Sequence, residues 1–184
     1  MDTSLIVRVA QPSDEEALAE LIPRSARALS AGFYSPAQID GAVKYVFGVD
    51  STLIRDGTYF VAEAGPVIKG CGGWSRRRTL YGGNQHKAVD DPLLDPAVDA
   101  ARIRAFFVAP EFARQGVGRQ LMRACANAAY DAGFRQLELV ATLPGVPLYE
   151  AFGFHGLEEV IEHTPEGVSI PFLRMVRALD SPMH

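Results

Sequence analysis

Apolar and polar residues alternate along this chain in two different periods. Short β-branched or alternating runs predict strands at residues 5–9, 58–63, 67–74, 101–108, 136–141, 157–162 and 169–177. Apolar residues at helical spacing predict helices after Ser13, after Ser35, over 116–132 and over 147–152. The pattern therefore predicts an α+β fold with six to seven strands and about four helices.

Local signals at the ends of these segments support the assignments. Ser13 with Glu16 has the spacing of a capping box, and Ser35-Pro36-Ala37-Gln38 repeats that signal with proline at the first helical position. Ala64-Gly65-Pro66 is turn chemistry between two strands, which predicts an antiparallel hairpin. The strand, helix and strand over 101–141 predict a right-handed βαβ unit.

The longest stretch without a periodic pattern runs from Arg76 to Pro96. It is polar and rich in turn residues, and loops of this length inside compact domains are often functional. We therefore expect substrate contacts in it. Its first residues, Arg76-Arg77-Arg78, either bind an acidic acceptor or form a solvated hairpin face, which is the more frequent role of such a run.

Composition narrows the class of protein. With 184 residues and 48% apolar content, the chain is long enough for one domain, which we place at 1–184. The net charge is −4, with a pI near 5.6, and no basic block predicts a nucleic-acid partner. The sequence shows neither a signal-peptide pattern nor an apolar run of the ~20 residues that span a membrane, so we expect a cytoplasmic protein.

Residue types that bind metals or attack substrates covalently are few. Cys71 and Cys125 lack a CxxC partner, and the four histidines lack metal-ligand spacing, so no metal is expected. The two thiols are expected to be buried, since a catalytic cysteine would need surroundings that lower its pKa.

A turn between a strand and a helix is the strongest candidate for a ligand site. It reads Ala113-Arg114-Gln115-Gly116-Val117-Gly118-Arg119. The first turn of a helix leaves backbone N–H groups unpaired and carries a partial positive charge, and the two glycines let a phosphate approach them. Gln115 to Arg119 are therefore expected to bind a pyrophosphate, although a plain tight turn has the same pattern. The segment lacks the Gly-Lys-Ser/Thr of a Walker motif and the third glycine of a dinucleotide fingerprint.

This turn, together with Leu148-Tyr149-Glu150-Ala151-Phe152-Gly153-Phe154 further on, resembles the GNAT superfamily of acyl-CoA-dependent N-acyltransferases. The resemblance is closest over residues 101–154, and it implies a mixed, mainly antiparallel twisted sheet with a central βαβ unit that binds acyl-CoA. It implies acetyl-CoA as co-substrate and an amine-bearing small molecule or peptide as acceptor. Members often dimerise, so a homodimer is compatible with it.

The resemblance also assigns roles to individual residues. Backbone groups of Phe107 and Val108 should bind the pantetheine arm, and Tyr149 should donate a hydrogen bond to the departing thiolate. Two positions depart from the family pattern. Ala113 stands where members have Gln or Arg, a charge that the neighbouring Arg114 could supply, and Thr142 stands where many have Asn.

The general base is not identified by the sequence. The strand before the loop contains no carboxylate, and Glu63, Asp99 and Glu138 are candidates, each more often a surface charge. A water chain could replace a single base. Four aromatic residues near predicted loops or strand ends are candidates for the acceptor pocket or for the core: Phe33, Tyr34, Trp74 and Tyr81.

Three functions remain open at this point. The leading one is transfer of an acetyl group from acetyl-CoA to a primary amine by direct attack on the thioester. The departures at Ala113 and Thr142 and the missing carboxylate favour a non-catalytic acyl-CoA-binding or regulatory module instead. The loop could also bind a different phosphate ligand.

Overall fold

A seven-stranded sheet forms the centre of the molecule. The structure is a computed structural model that describes residues 4–86 and 91–184. Within these residues the strands are β1 (Ile6–Val9), β2 (Tyr59–Ala64), β3 (Val67–Ser75), β4 (Ala101–Val108), β5 (Gln136–Ala141), β6 (His155–His163) and β7 (Ser169–Ala178). The α-helices are α1 (Glu15–Ser30), α2 (Pro36–Tyr45), α3 (Ser51–Arg55), α4 (Val117–Asp131) and α5 (Val146–Ala151).

The strands lie in the order β1-β2-β3-β4-β5-β7-β6. The β2–β3 hairpin is antiparallel, as the turn chemistry predicts, and every neighbouring pair is antiparallel except one. That exception is β4 with β5, which are parallel because α4 carries the chain back between them. The predicted mixed, mainly antiparallel α+β fold with a central βαβ unit is confirmed.

Helices cover both faces of the sheet because successive strand residues point to opposite sides. On β2, Val61 packs with Leu18 and Ile22 of α1, whereas the next residue, Ala62, packs with Val117 and Leu121 of α4. Helix α2 lies on the same side as α1, where Ala42 packs against Phe172 of β7. The two faces are thereby separated into an α1/α2 side and an α4 side.

The structure differs from the sequence predictions at two helix starts. The capping box at Ser35 and Gln38 is present, but none forms at Ser13 and Glu16. A single 3-10 turn, Pro12–Asp14, precedes α1, and Gln11 and Asp14 form its capping box, because the Asp14 carboxylate accepts the Gln11 amide at 2.7 Å. The five-residue α3 was not predicted, and Asp50 caps it by accepting the amides of Thr52 and Leu53.

The predicted loop over residues 76–96 is irregular where it is described, apart from a 3-10 turn at Asn84–His86. Residues 87–90 of this prediction lie outside the described residues. Arg77 anchors the loop, since its guanidinium pairs with Asp56 at 2.7 Å. The Arg77 guanidinium is therefore engaged within the protein rather than free for an acidic acceptor.

Candidate active site

Strands β4 and β5 are hydrogen-bonded only near their first residues and then diverge. Their parallel pairing covers Ala101 with Leu137 and Arg102 with Glu138, although β4 continues to Val108 and β5 to Ala141. The edge of β4 that faces β5 consequently has no strand partner beyond Arg102. Unpaired backbone donors and acceptors are costly when buried, so this gap is suited to an extended ligand that pairs with β4.

A β-bulge in β4 widens the same region. Cys71 pairs with Phe107 and Gly73 with Arg104, so one residue of β3 stands opposite two residues of β4, Ala105 and Phe106. Ala105 has φ of +54°, a left-handed conformation that costs a non-glycine residue roughly 1–2 kcal/mol. The buried Tyr59 hydroxyl donates to the Ala105 carbonyl oxygen at 3.2 Å and helps to hold the bulge.

The turn that the sequence predicts to bind pyrophosphate follows β4 directly. Its backbone is left-handed at Arg114, with φ of +62°, and at Gly116, with φ of +85°. Gly116 is the N-cap of α4 and supplies no capping side chain, so the first amides of the helix are not satisfied by a cap. A methyl group on Gly116 would meet no atom within 4 Å, and one on Gly118 would lie 3.3 Å from Leu148 of α5. The turn is therefore open at Gly116 and close to α5 at Gly118.

Tyr149 stands beside the gap on α5. Its ring packs edge-on against Phe106 of β4, with centroids 6.4 Å apart, and against Phe154 at 5.9 Å. No hydrogen bond to a described residue engages its hydroxyl. Burial raises the pKa of the phenol, which keeps the hydroxyl protonated at neutral pH. Tyr149 is thus an oriented hydrogen-bond donor rather than a strong acid.

A cavity passes through the gap from one face of the sheet to the other. Neighbouring residues on β5, Leu139 and Val140, point to opposite faces and both line it. Tyr149 and Phe106 line the cavity on the α4 side, and Phe47, Tyr81 and Phe172 are among the residues that line it on the α1/α2 side. The cavity thereby connects the surroundings of Tyr149 with an aromatic compartment.

Arg104 forms part of the cavity wall and makes a buried ion pair. Its Nη2 atom lies 2.8 Å from Asp50, with the two side chains 1% and 0% exposed, and donates to the Gly82 carbonyl at 2.6 Å. Burial lowers the pKa of the guanidinium, and the Asp50 carboxylate opposes that shift. Nothing in the sequence signals this pair, because the partners lie far apart in the chain.

The carboxylates considered as general bases are engaged elsewhere and do not line the cavity. Glu63 pairs with Arg8 at 2.8 Å, and Asp99 accepts the Asp95 amide at 2.8 Å. Glu138 accepts from both Arg102 and Arg174. A carboxylate near the aromatic compartment is instead Glu162 of β6, which accepts a hydrogen bond from Tyr81 at 2.7 Å.

Of the four aromatic candidates for the acceptor pocket, Tyr81 lines the cavity. Tyr34 and Trp74 are buried in packing clusters, where Tyr34 donates to the Pro171 carbonyl and Trp74 packs on Phe134. Phe33 is 54% exposed. Cys71 and Cys125 are both buried, and burial raises the pKa of the Cys71 thiol to about 12.

None of the His, Cys, Asp and Glu side chains in residues 4–86 and 91–184 form a group of three or more placed to hold a metal ion. No helix in the same residues combines the length and apolar composition needed to cross a bilayer.

The architecture around the gap matches a known family at the level of sequence. A family model described as an acetyltransferase (GNAT) domain matches residues 55–156, which include β2 to β5, the turn before α4 and Tyr149. The chain belongs to the GNAT acetyltransferase family. A search of curated proteins by sequence finds no match.

Solved structures of GNAT proteins share the whole fold. A GCN5-related N-acetyltransferase from Rhodopseudomonas palustris superimposes with a TM-score of 0.71 at 19% identity, covering 97% of this chain and 99% of the other. PaiA N-acetyltransferase from Thermoplasma acidophilum, in complex with coenzyme A, has a TM-score of 0.60 at 15% identity, with 95% and 99% covered. YncA, a putative acetyltransferase from Salmonella typhimurium with acetyl-CoA, has 0.62 at 15% identity, with 97% and 98% covered.

The residues of this GNAT chain fit a coenzyme A donor on physical grounds. The open turn at Gly116 offers helix N-terminal amides to a pyrophosphate, with Arg114 and Arg119 exposed beside it. The unpaired edge of β4, which includes Phe107 and Val108, offers backbone groups to an amide-containing arm. Family membership indicates acyl transfer from coenzyme A, and both halves of that ligand have suitable partners here.

Proposed function

We propose that this protein is an N-acetyltransferase that transfers an acetyl group from acetyl-CoA to a primary amine by direct attack on the thioester. The observation that carries the proposal is the cavity through the sheet, which joins Tyr149 and the unpaired edge of β4 to an aromatic compartment. The relatives crystallised with coenzyme A and acetyl-CoA support the choice of donor.

The protein's own groups have separate tasks in this reaction. Backbone amides of Gln115 to Arg119 hold the pyrophosphate, and Arg114 adds a charge beside Ala113. Phe107 and Val108 hold the pantetheine arm through their backbone. When bound, acetyl-CoA supplies an acetyl thioester with a thiolate leaving group, and Tyr149 donates a hydrogen bond to the departing sulfur.

The substrate ammonium gives up two protons over the proposed reaction, in which a C–N bond forms and the C–S bond breaks. One proton ends on the sulfur and the other leaves to solvent. Deprotonating an amine of pKa ~10.4 costs about 4.6 kcal/mol at pH 7. A cavity that removes water from the ammonium lowers that cost because burial favours the neutral form.

Acetyl-CoA is expected to raise the thermal midpoint of the protein, whereas ATP and NAD are not. Ligand at 100 times its dissociation constant adds about 2.7 kcal/mol, equivalent to roughly 5–10 °C for a domain of this size. Differential scanning fluorimetry with the three ligands at equal concentration measures this. An equal shift with ATP would show that the turn binds another phosphate ligand.

Catalysis is then tested by following free thiol release from acetyl-CoA over a broad panel of primary amines. Turnover with at least one amine is expected. Firm acetyl-CoA binding without thiol release from any amine would favour the alternative, a non-catalytic acyl-CoA-binding or regulatory module. The engaged states of Glu63, Asp99 and Glu138 give that alternative its support.

A further inference from the structure

A polar cluster stands at the α1/α2 end of the cavity, and the proposed reaction has given it no task. Tyr81 donates its hydroxyl proton to Oε2 of Glu162 at 2.7 Å, and the His86 Nε2 atom lies 3.1 Å from the same oxygen. The Tyr81 and His86 rings also pack together at a tilt of 37°, with centroids 4.8 Å apart. Two residues of one loop therefore converge on one carboxylate oxygen of a strand that is distant in sequence.

The Glu162 carboxylate has the Tyr81 hydroxyl and the His86 imidazole as its partners. None of the Lys or Arg side chains in the described residues lies within salt-bridge distance of it, and its side chain is only 22% exposed. Burial and the neighbouring carboxylate together raise the pKa of the Tyr81 phenol. Tyr81 therefore keeps its proton toward Glu162 and turns a lone pair of its oxygen outward as an acceptor.

The cation in the cavity wall is not available to a substrate. The Arg104 side chain is 1% exposed, pairs with Asp50 at 2.8 Å and donates to the Gly82 carbonyl. Its Nε atom has no partner in the described part of the chain, but it is fully buried and a ligand would have to displace protein to reach it. The same bond to Gly82 fixes the segment that carries Tyr81.

Aromatic rings form the rest of this compartment. Phe47 packs edge-on against Phe107 at 5.5 Å and against Phe172 at 6.1 Å, and Tyr81 lies 6.1 Å from Phe172. Ring faces attract cations and also accept apolar groups. The compartment thus combines an apolar wall with one partly buried negative charge.

We propose that Glu162, acting through the Tyr81 hydroxyl, selects a cationic primary amine with an apolar body and no carboxylate beside the nitrogen. The substrate enters as an ammonium that donates to the Tyr81 oxygen; after it loses one proton to solvent, the neutral amine keeps a donor N–H for the same oxygen, and its body packs on Phe47 and Phe172. This inference rests on the proposed function and names the acceptor class for the same site. Tyr81 is the contact residue, and Glu162 is a positioning residue that supplies the charge.

An α-carboxylate on the acceptor is disfavoured by two effects. It would bring a second negative charge into the neighbourhood of Glu162, where repulsion is stronger than in water because the site is partly dry. It would also lose its own hydration, and the cation among the described residues that line the cavity, Arg104, is already paired with Asp50. The site is therefore expected to discriminate between an amine and the amino acid with the same side chain by the α-carboxylate alone.

The experiment compares three acceptors with their amino-acid counterparts: phenethylamine with phenylalanine, tyramine with tyrosine, and pentylamine with norleucine. Thiol release from acetyl-CoA is measured for the full chain, wild type and variants. We expect wild-type kcat/KM to favour the amine of each pair about tenfold or more, as like-charge repulsion in a partly buried site predicts.

Glu162→Gln keeps the hydrogen bonds from Tyr81 and His86 but removes the charge. It is expected to raise KM for the amines about tenfold with a smaller change in kcat, and to reduce the preference over amino acids toward unity, because a bond to a charged group is lost. Tyr81→Phe, which removes one oxygen, should raise the same KM and serves as a second variant if Glu162→Gln folds poorly. Glu159→Gln on the opposite face of β6 is the matched control, expected to leave all values unchanged.

Each remaining outcome separates this inference from the proposed function. A preference for amino acids, or a preference that Glu162→Gln and Tyr81→Phe leave unchanged, would overturn the inference alone. The inference alone would also be overturned if none of the three amines caused thiol release while other amines in the broad panel did. Absence of thiol release with every amine would overturn the proposed function, and the inference with it.

Discussion

Tyr149→Phe is expected to lower kcat about 100- to 1,000-fold while acetyl-CoA still binds, because losing one aligned donor to a developing anion costs about 2.7–4 kcal/mol. The hydroxyl makes no hydrogen bond to a described residue, so its removal leaves no protein partner unsatisfied. The ring, which packs on Phe106 and Phe154, is preserved. The loss should therefore fall on the chemical step and leave folding intact.

The measurement is steady-state thiol release at saturating acetyl-CoA, with the acetyl-CoA dissociation constant determined separately by calorimetry. Tyr130→Phe on α4 is a suitable control, since its ring packs with Arg135 away from the cavity. The raised pKa of Tyr149 also predicts that kcat does not fall between pH 7 and 9 through ionisation of this group. Undiminished kcat in the phenylalanine variant would remove Tyr149 from the reaction while leaving the enzyme in place.

Gly118→Asp is expected to weaken acetyl-CoA binding about 100-fold or more, since it sets a negative charge beside the pyrophosphate and competes for the same amides. The apo protein should not lose comparable stability. An aspartate in the first turn of α4 favours the helix, and replacing glycine in a helix removes a conformational cost. The added Cβ fits once Leu148, 3.3 Å from it, shifts by a few tenths of an ångström.

Gly118→Ala carries the same Cβ without the charge and is the matched control. Its acetyl-CoA affinity should stay within a few-fold of wild type, and its thermal midpoint should match that of the aspartate variant. Affinity and stability are thus expected to change in opposite directions in one variant. Equal weakening by alanine and aspartate would mean that space around Leu148, rather than the helix amides, determines binding.

The elements of the fold that depend on a few neighbouring residues could be predicted from the sequence. The capping box at Ser35, the hairpin turn before β3 and the strand–helix–strand order over β4, α4 and β5 could each be predicted from a few neighbouring residues. Helix α3 could not, because five residues are too few to show a helical period and its cap, Asp50, follows no periodic segment. At the start of α1 two overlapping caps compete, and the sequence does not show which prevails.

The candidate site likewise has a part that could be predicted from local motifs and a part that depends on contacts between distant segments. The turn at Gly116 and the position of Tyr149 follow from motifs within one stretch of chain, so the donor side could be anticipated. Tyr81 and Glu162 are 81 residues apart, and nothing in either segment indicates that the other will contact it. The burial of Tyr34 and Trp74 is likewise a product of tertiary packing, which periodicity alone does not reveal.

The gap between β4 and β5 also bears on the kinetic order of the proposed reaction. Because Leu139 and Val140 point to opposite faces and both line the cavity, donor and acceptor can approach from opposite sides of one sheet. Neither has to depart before the other binds, and the buried Cys71, with its pKa raised to about 12, is no carrier for the acetyl group between two half-reactions. Double-reciprocal plots at several fixed acceptor concentrations should therefore intersect rather than run parallel.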